Sequence, residues 1–234
     1  MSEFLVIDLT EPLREDSEVY PGDPKPRKRV FTTLEKDGFL HHIYEIGDHH
    51  FHPHGDAPKH YSGDERGFEI FGLDYAFHRA CLIDLSSIGK ASAGITFITE
   101  ITEQHLLPFA NIITKRGALL IRTGYDKWLE AGKPHQPHLI PYLTKQAAAF
   151  LAGFKSLRVV GIDSITFDPA GSGKPVKDAH NLLREKFIVE SLVHLHEIPR
   201  DHAHDFTLQT SAVRIVGATG GPVVAYAYIS MPAP

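Results

Sequence analysis

The segment His50-Phe51-His52-Pro53-His54-Gly55-Asp56-Ala57-Pro58-Lys59-His60 constrains the fold of this chain more than any other. Pro53, Gly55 and Pro58 break helical backbone, so the i, i+4 spacing of His50 and His54 is not expected on a helical face. An extended path remains, entered from an alternating stretch, Leu40 to Gly47, that reads as a strand. With a period of two, His50, His52, His54 and Asp56 project to one side, and His60 follows two steps further on. Of 16 histidines in the chain, seven (His41, His42, His49, His50, His52, His54 and His60) fall in this neighbourhood. Neutral imidazoles with a carboxylate are the donor set of Zn²⁺ or Mn²⁺, with water in an open position. A histidine-rich surface loop is the competing reading; the alternation and the stiff backbone favour the metal site. His41, His42 and His49 are read as bystanders.

Composition narrows the class. A chain of 234 residues, 42% hydrophobic and 23% charged, has the proportions of a globular protein rather than a disordered or fibrous one. A net charge of −5 without a long basic run argues against nucleic acid as partner. Cys81 is the sole cysteine, which excludes an internal disulfide and a multi-cysteine zinc site. The opening MSEFLVIDLTEP carries Glu3 and Asp8 and does not read as a signal peptide. No segment approaches the roughly 18 apolar residues of a membrane span. A cytoplasmic enzyme or binding protein is expected.

Short apolar runs at Phe4–Ile7, Ala80–Leu85, Ala118–Ile121 and Leu157–Ile162 read as strands, most of them buried. Val213–Val216 and Val223–Ile229 are expected as the arms of a C-terminal hairpin turning at Gly217, Gly220, Gly221 and Pro222. Helices are expected from Thr102 to before Pro108, from Lys145 to Ala152 with Thr144 as N-cap and Gly153 just past the end, and from Asp178 to Lys186. These elements interleave without a Gly/Ser-rich linker, so one α/β domain over residues 1–234 is expected. Gly171-Ser172-Gly173-Lys174 is not a phosphate loop, because Asp168 stands where its first glycine belongs and Pro175 follows the lysine. Gly-x-Ser-x-Gly nucleophile elbows are absent.

His50, His54, Asp56, Pro58 and His60 match the signature His-x-Gly-Thr-His-x-Asp-x-Pro-x-His, and here the chain resembles the cyclase family of metal-dependent hydrolases, which includes kynurenine formamidases and isatin hydrolases. Ile7-Asp8-Leu9-Thr10, Tyr20-Pro21-Gly22-Asp23-Pro24, Ile121-Arg122-Thr123-Gly124-Tyr125 and Gly161-Ile162-Asp163-Ser164 through Phe167-Asp168-Pro169 carry the likeness along the chain in the family's order. The resemblance implies a swivelling β/β/α fold in a homodimer or homotetramer. It implies a first metal on His50, His54 and Asp56. In dinuclear members a second metal shares that aspartate, and the matching ligands are His180 and Glu190, at a spacing slightly shorter than usual. It also makes His60 the catalytic base.

The chemistry implied is amide hydrolysis by a metal-bound hydroxide, since a divalent cation lowers the pKa of its water from about 15.7 toward 7, with His60 as general acid/base. Two departures bear on the substrate. His52-Pro53 replaces the family's Gly-Thr, which leaves His52 as an extra metal ligand, a partner of a ligand or a pocket wall. Tyr20 replaces the tryptophan of formylkynurenine-specific members, and Tyr20 and His52 are both expected at the substrate. An aryl formamide such as N-formylkynurenine leads, and an isatin- or lactam-type cyclic amide comes second. A non-catalytic metal or small-ligand binder is the alternative of another class. His194, His196, His202 and His204 with Asp205 read as solvated surface rather than as a separate metal-buffering loop.

Overall fold

The computed structural model describes residues 4–17, 19–49, 52–171 and 176–231. Its strands are β1 (Phe4–Asp8), β2 (Arg27–Thr32), β3 (His41–Glu45), β4 (His54–Asp56), β5 (Phe77–Asp84), β6 (Lys90–Ser92), β7 (Ile95–Phe97), β8 (Glu100–Ile101), β9 (Ala118–Arg122), β10 (Tyr142–Leu143), β11 (Val159–Ile162), β12 (Phe187–Glu190), β13 (Phe206–Ala212) and β14 (Gly220–Ser230). Its α-helical turns are α1 (Leu34–Asp37), α2 (Pro58–Tyr61), α3 (Glu103–Leu106), α4 (Ala110–Ile113), α5 (Asp126–Glu130), α6 (Lys145–Ala152) and α7 (Asp178–Leu183). The expected α/β class holds.

The main sheet runs β14-β13-β5-β9-β11-β12-β4 and then pairs β4 back onto β14, closing a seven-strand barrel. The β5-β9-β11-β12 ladder is parallel, and the remaining contacts are antiparallel. Alternation sorts the side chains into two layers. Leu82, Leu120, Val159, Phe187 and Val189 fill the lumen. Cys81, Ile83, Leu119, Ile121, Val160, Ile162 and Ile188 face outward and pack under Leu106, Ala147, Leu151 and Leu183 of the helices. Each fully buried Leu or Ile contributes roughly 1.5–3 kcal/mol, which makes these layers the main hold on the fold. Thr144 caps α6 as expected, its hydroxyl accepting from the Ala147 amide at 3.2 Å.

Closure depends on two glycines that pair with each other, Gly55 on β4 and Gly221 on β14. A Cβ at Gly55 would stand 2.3 Å from Phe187 Cε2, and one at Gly221 would stand 2.5 Å from Phe68 Cε1. The two rings fill the space that side chains would take.

Four expectations need correction. The first arm of the C-terminal hairpin is β13, not Val213–Val216; Val216 is 84% exposed in the connection. Phe206, Leu208 and Thr210 alternate inward there, a pattern masked by intervening polar residues. Gly220, Gly221 and Pro222 lie inside β14, where they pair with β4. Helical turns continue past Pro108, because a proline in a first turn costs no hydrogen bond. The third helix ends at Leu183. Leu40–Gly47 forms a strand as expected, β3, which pairs with β2 in a separate two-stranded hairpin.

Candidate active site

The site is built on the outer face of the barrel. Gly55 and Val189 turn toward the lumen rings, so His54, Asp56 and Glu190, one step away, turn toward the helix layer. His54 Nε2 lies 3.3 Å from Glu190 Oε2 and 3.7 Å from Asp56 Oδ1. Helix α7 lays His180 across them, with its Nε2 3.1 Å from Asp56 Oδ2 and 3.3 Å from Glu190 Oε1. The slightly shortened interval from His180 to Glu190 is therefore sufficient to bring the two together.

His60 arrives by a route that sequence did not anticipate. Pro58 begins the single turn α2 instead of preventing a helix. His60 thus stands at i+4 from Asp56, its Nε2 4.0 Å from Asp56 Oδ2. His49, read as a bystander, is in the cluster: its Nε2 is 3.2 Å from Asp56 Oδ1, and its ring lies 4.1 Å from that of His60 and 5.5 Å from that of His54. Strand alternation does not extend to His49, because β3 ends at Glu45 and a turn intervenes. Asp48 pins that turn by accepting from both the amide and the hydroxyl of Thr219 at 2.9 Å. His50 lies outside the described residues. His52 is not in the ligand cluster; it sits in the cavity wall, Nδ1 3.8 Å from Glu11 Oε2, and Tyr20 lines the same cavity.

Asp168 is a further residue that sequence reading passed over, although it stood in the quoted Phe167-Asp168-Pro169. It accepts from the Ala179 amide at 2.8 Å and the His180 amide at 3.2 Å, and it hydrogen-bonds His180 Nδ1. That contact fixes the ring so that Nε2 faces the carboxylates. Glu190 Oε1 is held in turn by the Phe167 amide at 2.8 Å. Tyr61 packs edge-on against His180, 4.8 Å between ring centroids.

The cavity has a volume of about 260 Å³. Burial alone pushes the Asp56 carboxyl up, but the His180 hydrogen bond and the nearby His49 outweigh it and hold it well below the usual range. Burial works against a charged His180, and Asp168, Asp56 and Glu190 together overcome it, holding its pKa well above the ordinary value. Burial drives His60 the other way, down to about 4, despite the pull of Asp56. Uncompensated buried carboxylates cost several kcal/mol each, so this cluster calls for positive charge at its centre. Asp56 Oδ1 and His49 Nε2 are buried and make no hydrogen bond, which leaves donor atoms free for a divalent cation. Two overlapping groups of ligand atoms, His54–Asp56–Glu190 and His49–Asp56–His60, each lie within 4.8 Å of one another. The donor set fits one or two such ions.

The later histidines do not converge. His194 Nδ1 bonds the Asp8 carbonyl at 2.8 Å, and His202 faces Asp201. His196 joins Asp126 and Glu130 in a third grouping, but the Arg122 guanidinium lies 3.4 Å from that aspartate and supplies positive charge.

A closed mixed barrel with an imidazole–carboxylate cluster under its helix layer defines the class: an α/β-barrel protein with a site suited to divalent cations. The chain belongs to the Cyclase family, whose model, described as "Putative cyclase", matches residues 7–169. A kynurenine formamidase of Bacillus mycoides is 29% identical over 224 residues, covering 93% of this chain and 94% of that protein. Isatin hydrolase A from Labrenzia aggregata, solved with benzyl benzoate, superposes with a TM-score of 0.76 at 20% identity, covering 97% of this chain and 94% of the other. A structure described as a predicted metal-dependent hydrolase, from Bacillus stearothermophilus, superposes with a TM-score of 0.70 at 20% identity, covering 97% and 98%. These likenesses bear out the expected cyclase-family fold.

Proposed function

We propose that this protein is a divalent-cation-dependent amide hydrolase acting on an aryl formamide such as N-formylkynurenine. It belongs among the hydrolases of carbon–nitrogen bonds other than peptide bonds. One observation carries the reading: Asp56 and Glu190 meet His54, His180, His49 and His60 at the wall of one cavity. The kynurenine formamidase relatives point to the formamide. His50, as the family signature implies, with His54, Asp56, His180 and Glu190 would hold zinc or manganese, one ion or two, and His49 Nε2 stands 3.2 Å from Asp56 Oδ1.

When bound, such a cation supplies Lewis acidity toward a carbonyl and lowers the pKa of water from about 15.7 to about 7. His60, kept neutral by burial, accepts at Nε2 the proton of the water that adds to the formyl carbon. It returns that proton to the aryl nitrogen as the C–N bond breaks, so formate and an arylamine leave and no covalent enzyme intermediate forms. Tyr20 offers an aromatic wall to the substrate ring, and His52 lines the same cavity. A cyclic amide is the second reading, favoured by the isatin hydrolase likeness.

The reading extends to a cytoplasmic homo-oligomer. No helix among the described residues is long and apolar enough to cross a membrane. The hairpin β2–β3 exposes Val30, Phe31, Leu40 and Tyr44, a patch suited to a second copy.

The test is metal analysis of untagged protein, paired with a hydrolysis screen of formanilides, N-formylkynurenine and lactams. Stoichiometric metal with turnover of a formamide is expected. Stoichiometric metal with no turnover of any of them would identify a metal-binding protein instead.

A further inference from the structure

His60 is delivered by a surface loop, residues 58–67, that begins and ends on one stretch of backbone. The Ala57 amide donates to the Thr219 carbonyl at 2.8 Å just before the loop, and the Phe68 amide donates to the Ala218 carbonyl at 3.0 Å just after it. Between those points the chain folds on itself. The Ser62 hydroxyl donates to the Pro58 carbonyl at 2.7 Å, and the Asp64 amide donates to the Ser62 hydroxyl at 3.2 Å. The Lys59 amide donates to the Arg66 carbonyl at 3.1 Å. A single helical turn such as α2 has little stability of its own, so contacts from outside must fix where it points. Tyr61 packs edge-on against His180. Arg66 grips Glu185, with Nη1 3.1 Å from Oε2 and Nη2 2.9 Å from Oε1. The same guanidinium is locked on the loop side, with Nε 2.9 Å and Nη2 2.6 Å from Asp64 Oδ2. Glu185 is itself anchored. It lies in the turn between α7, which carries His180, and β12, which carries Glu190. Its neighbour Lys186 pins that turn by donating to the Phe154 and Leu157 carbonyls at 2.9 and 3.0 Å.

We propose that Arg66 is the positioning residue for His60, its guanidinium joining the loop that carries the base to the turn between the elements that carry His180 and Glu190. This rests on the reading of His60 as general acid/base and adds how that base is held in place. The planar fork of an arginine meets a carboxylate through two parallel hydrogen bonds, so it fixes direction as well as distance. A lysine supplies the charge without the fork. Proton transfer is sensitive to such placement, since a misplacement of about 1 Å can cost roughly 100-fold in rate. The Glu185 side chain is 70% exposed and that of Arg66 is 41% exposed, and ion pairs in water add little to global stability. The effect of this clamp therefore belongs in turnover and not in the melting temperature.

Arg66→Gln and Glu185→Gln cut the clamp from its two sides. Each is expected to lower kcat on N-formylkynurenine by roughly 10-fold, with KM and the content of bound zinc or manganese unchanged. The double variant should be no slower than either single one, because one contact is lost only once. Arg66→Lys should recover part of the rate. The decisive comparison places Arg66→Gln in a His60→Ala background, read by single-turnover rates. There the residual rate should fall no further, since no base remains to be misplaced. A further loss of similar size in that background would overturn the proposal, because Arg66 would then act on something other than His60. Parental kcat in both single variants would overturn it too, as would a loss of bound metal that accounts for the slower turnover. A His60→Ala protein as fast as the parent would remove the base itself, and the proposal with it; that failure is read from the His60 variant alone. Equal thermal melting of parent and variants shows that the fold is intact, and Glu185→Gln keeps the test open if Arg66→Gln misfolds.

Discussion

His180 is held at both ring nitrogens by buried carboxylates, with Nδ1 on Asp168 and Nε2 3.1 Å from Asp56 Oδ2. Asp168 orients the imidazole, and its other oxygen is spent on the first turn of α7. Orienting carboxylates of this type typically contribute 10- to 100-fold in metal affinity, roughly. Asp168→Ala should therefore weaken zinc or manganese binding by about that factor, read by competition with a chromogenic chelator. Unchanged affinity would show that α7 positions His180 by packing alone.

His60 and His49 stand in ring contact but are expected to separate in experiment. His60→Ala should keep its metal content and lose roughly 10²- to 10⁴-fold in kcat, the range for a general acid/base. His49→Ala removes the imidazole that stands 3.2 Å from Asp56 Oδ1 and should lower metal content or affinity. Elemental analysis with single-turnover rates distinguishes them; metal loss in the His60 variant would make that residue a ligand.

How much of this was legible beforehand depended on whether the geometry was local. His54 and Asp56 share a strand, so a period of two placed them on one side, and Thr144 announced α6 by its chemistry. His49 was invisible to the same rule because a turn breaks the alternation before β4. Pro58 was misread because a proline that excludes a helix interior is welcome in its first turn. Val213–Val216 looked more strand-like than Phe206–Ala212, since burial across the barrel, not propensity, decides which segment pairs. Asp168 sits in a quoted motif, yet its role appears only when α7 folds back onto it.

Gly55 and Gly221 give the barrel its closing seam. Gly55→Ala places a methyl carbon 2.3 Å from the buried Phe187 ring, and overpacking of this kind costs roughly 1–3 kcal/mol. Because β4 carries His54 and Asp56, activity should fall with stability. Adding Phe187→Leu should recover part of both by making room, as read by urea unfolding and turnover together. If the single variant melts like the parent, the ring can swing aside and the seam tolerates a side chain.

His135 offers a handle on acid sensitivity away from the metal ligands. Its ring stacks on Tyr125 at 5.8 Å, its Nδ1 lies 3.0 Å from the Tyr125 hydroxyl, and its Nε2 is buried without a partner. Burial, with a smaller push from His52, lowers its pKa to about 4. The folded protein therefore keeps this imidazole neutral while the unfolded chain takes up a proton below its ordinary value of about 6.5. Stability is fully present above that value and is lost as pH falls from about 6.5 toward 4, by on the order of 2 kcal/mol once partial exposure is allowed for. His135→Phe keeps an aromatic ring on Tyr125 and cannot be protonated. Relative to the parent, it should gain stability steadily across that window in urea titrations, whatever offset it shows at pH 7.5. Parallel curves for the two proteins would place the acid sensitivity elsewhere.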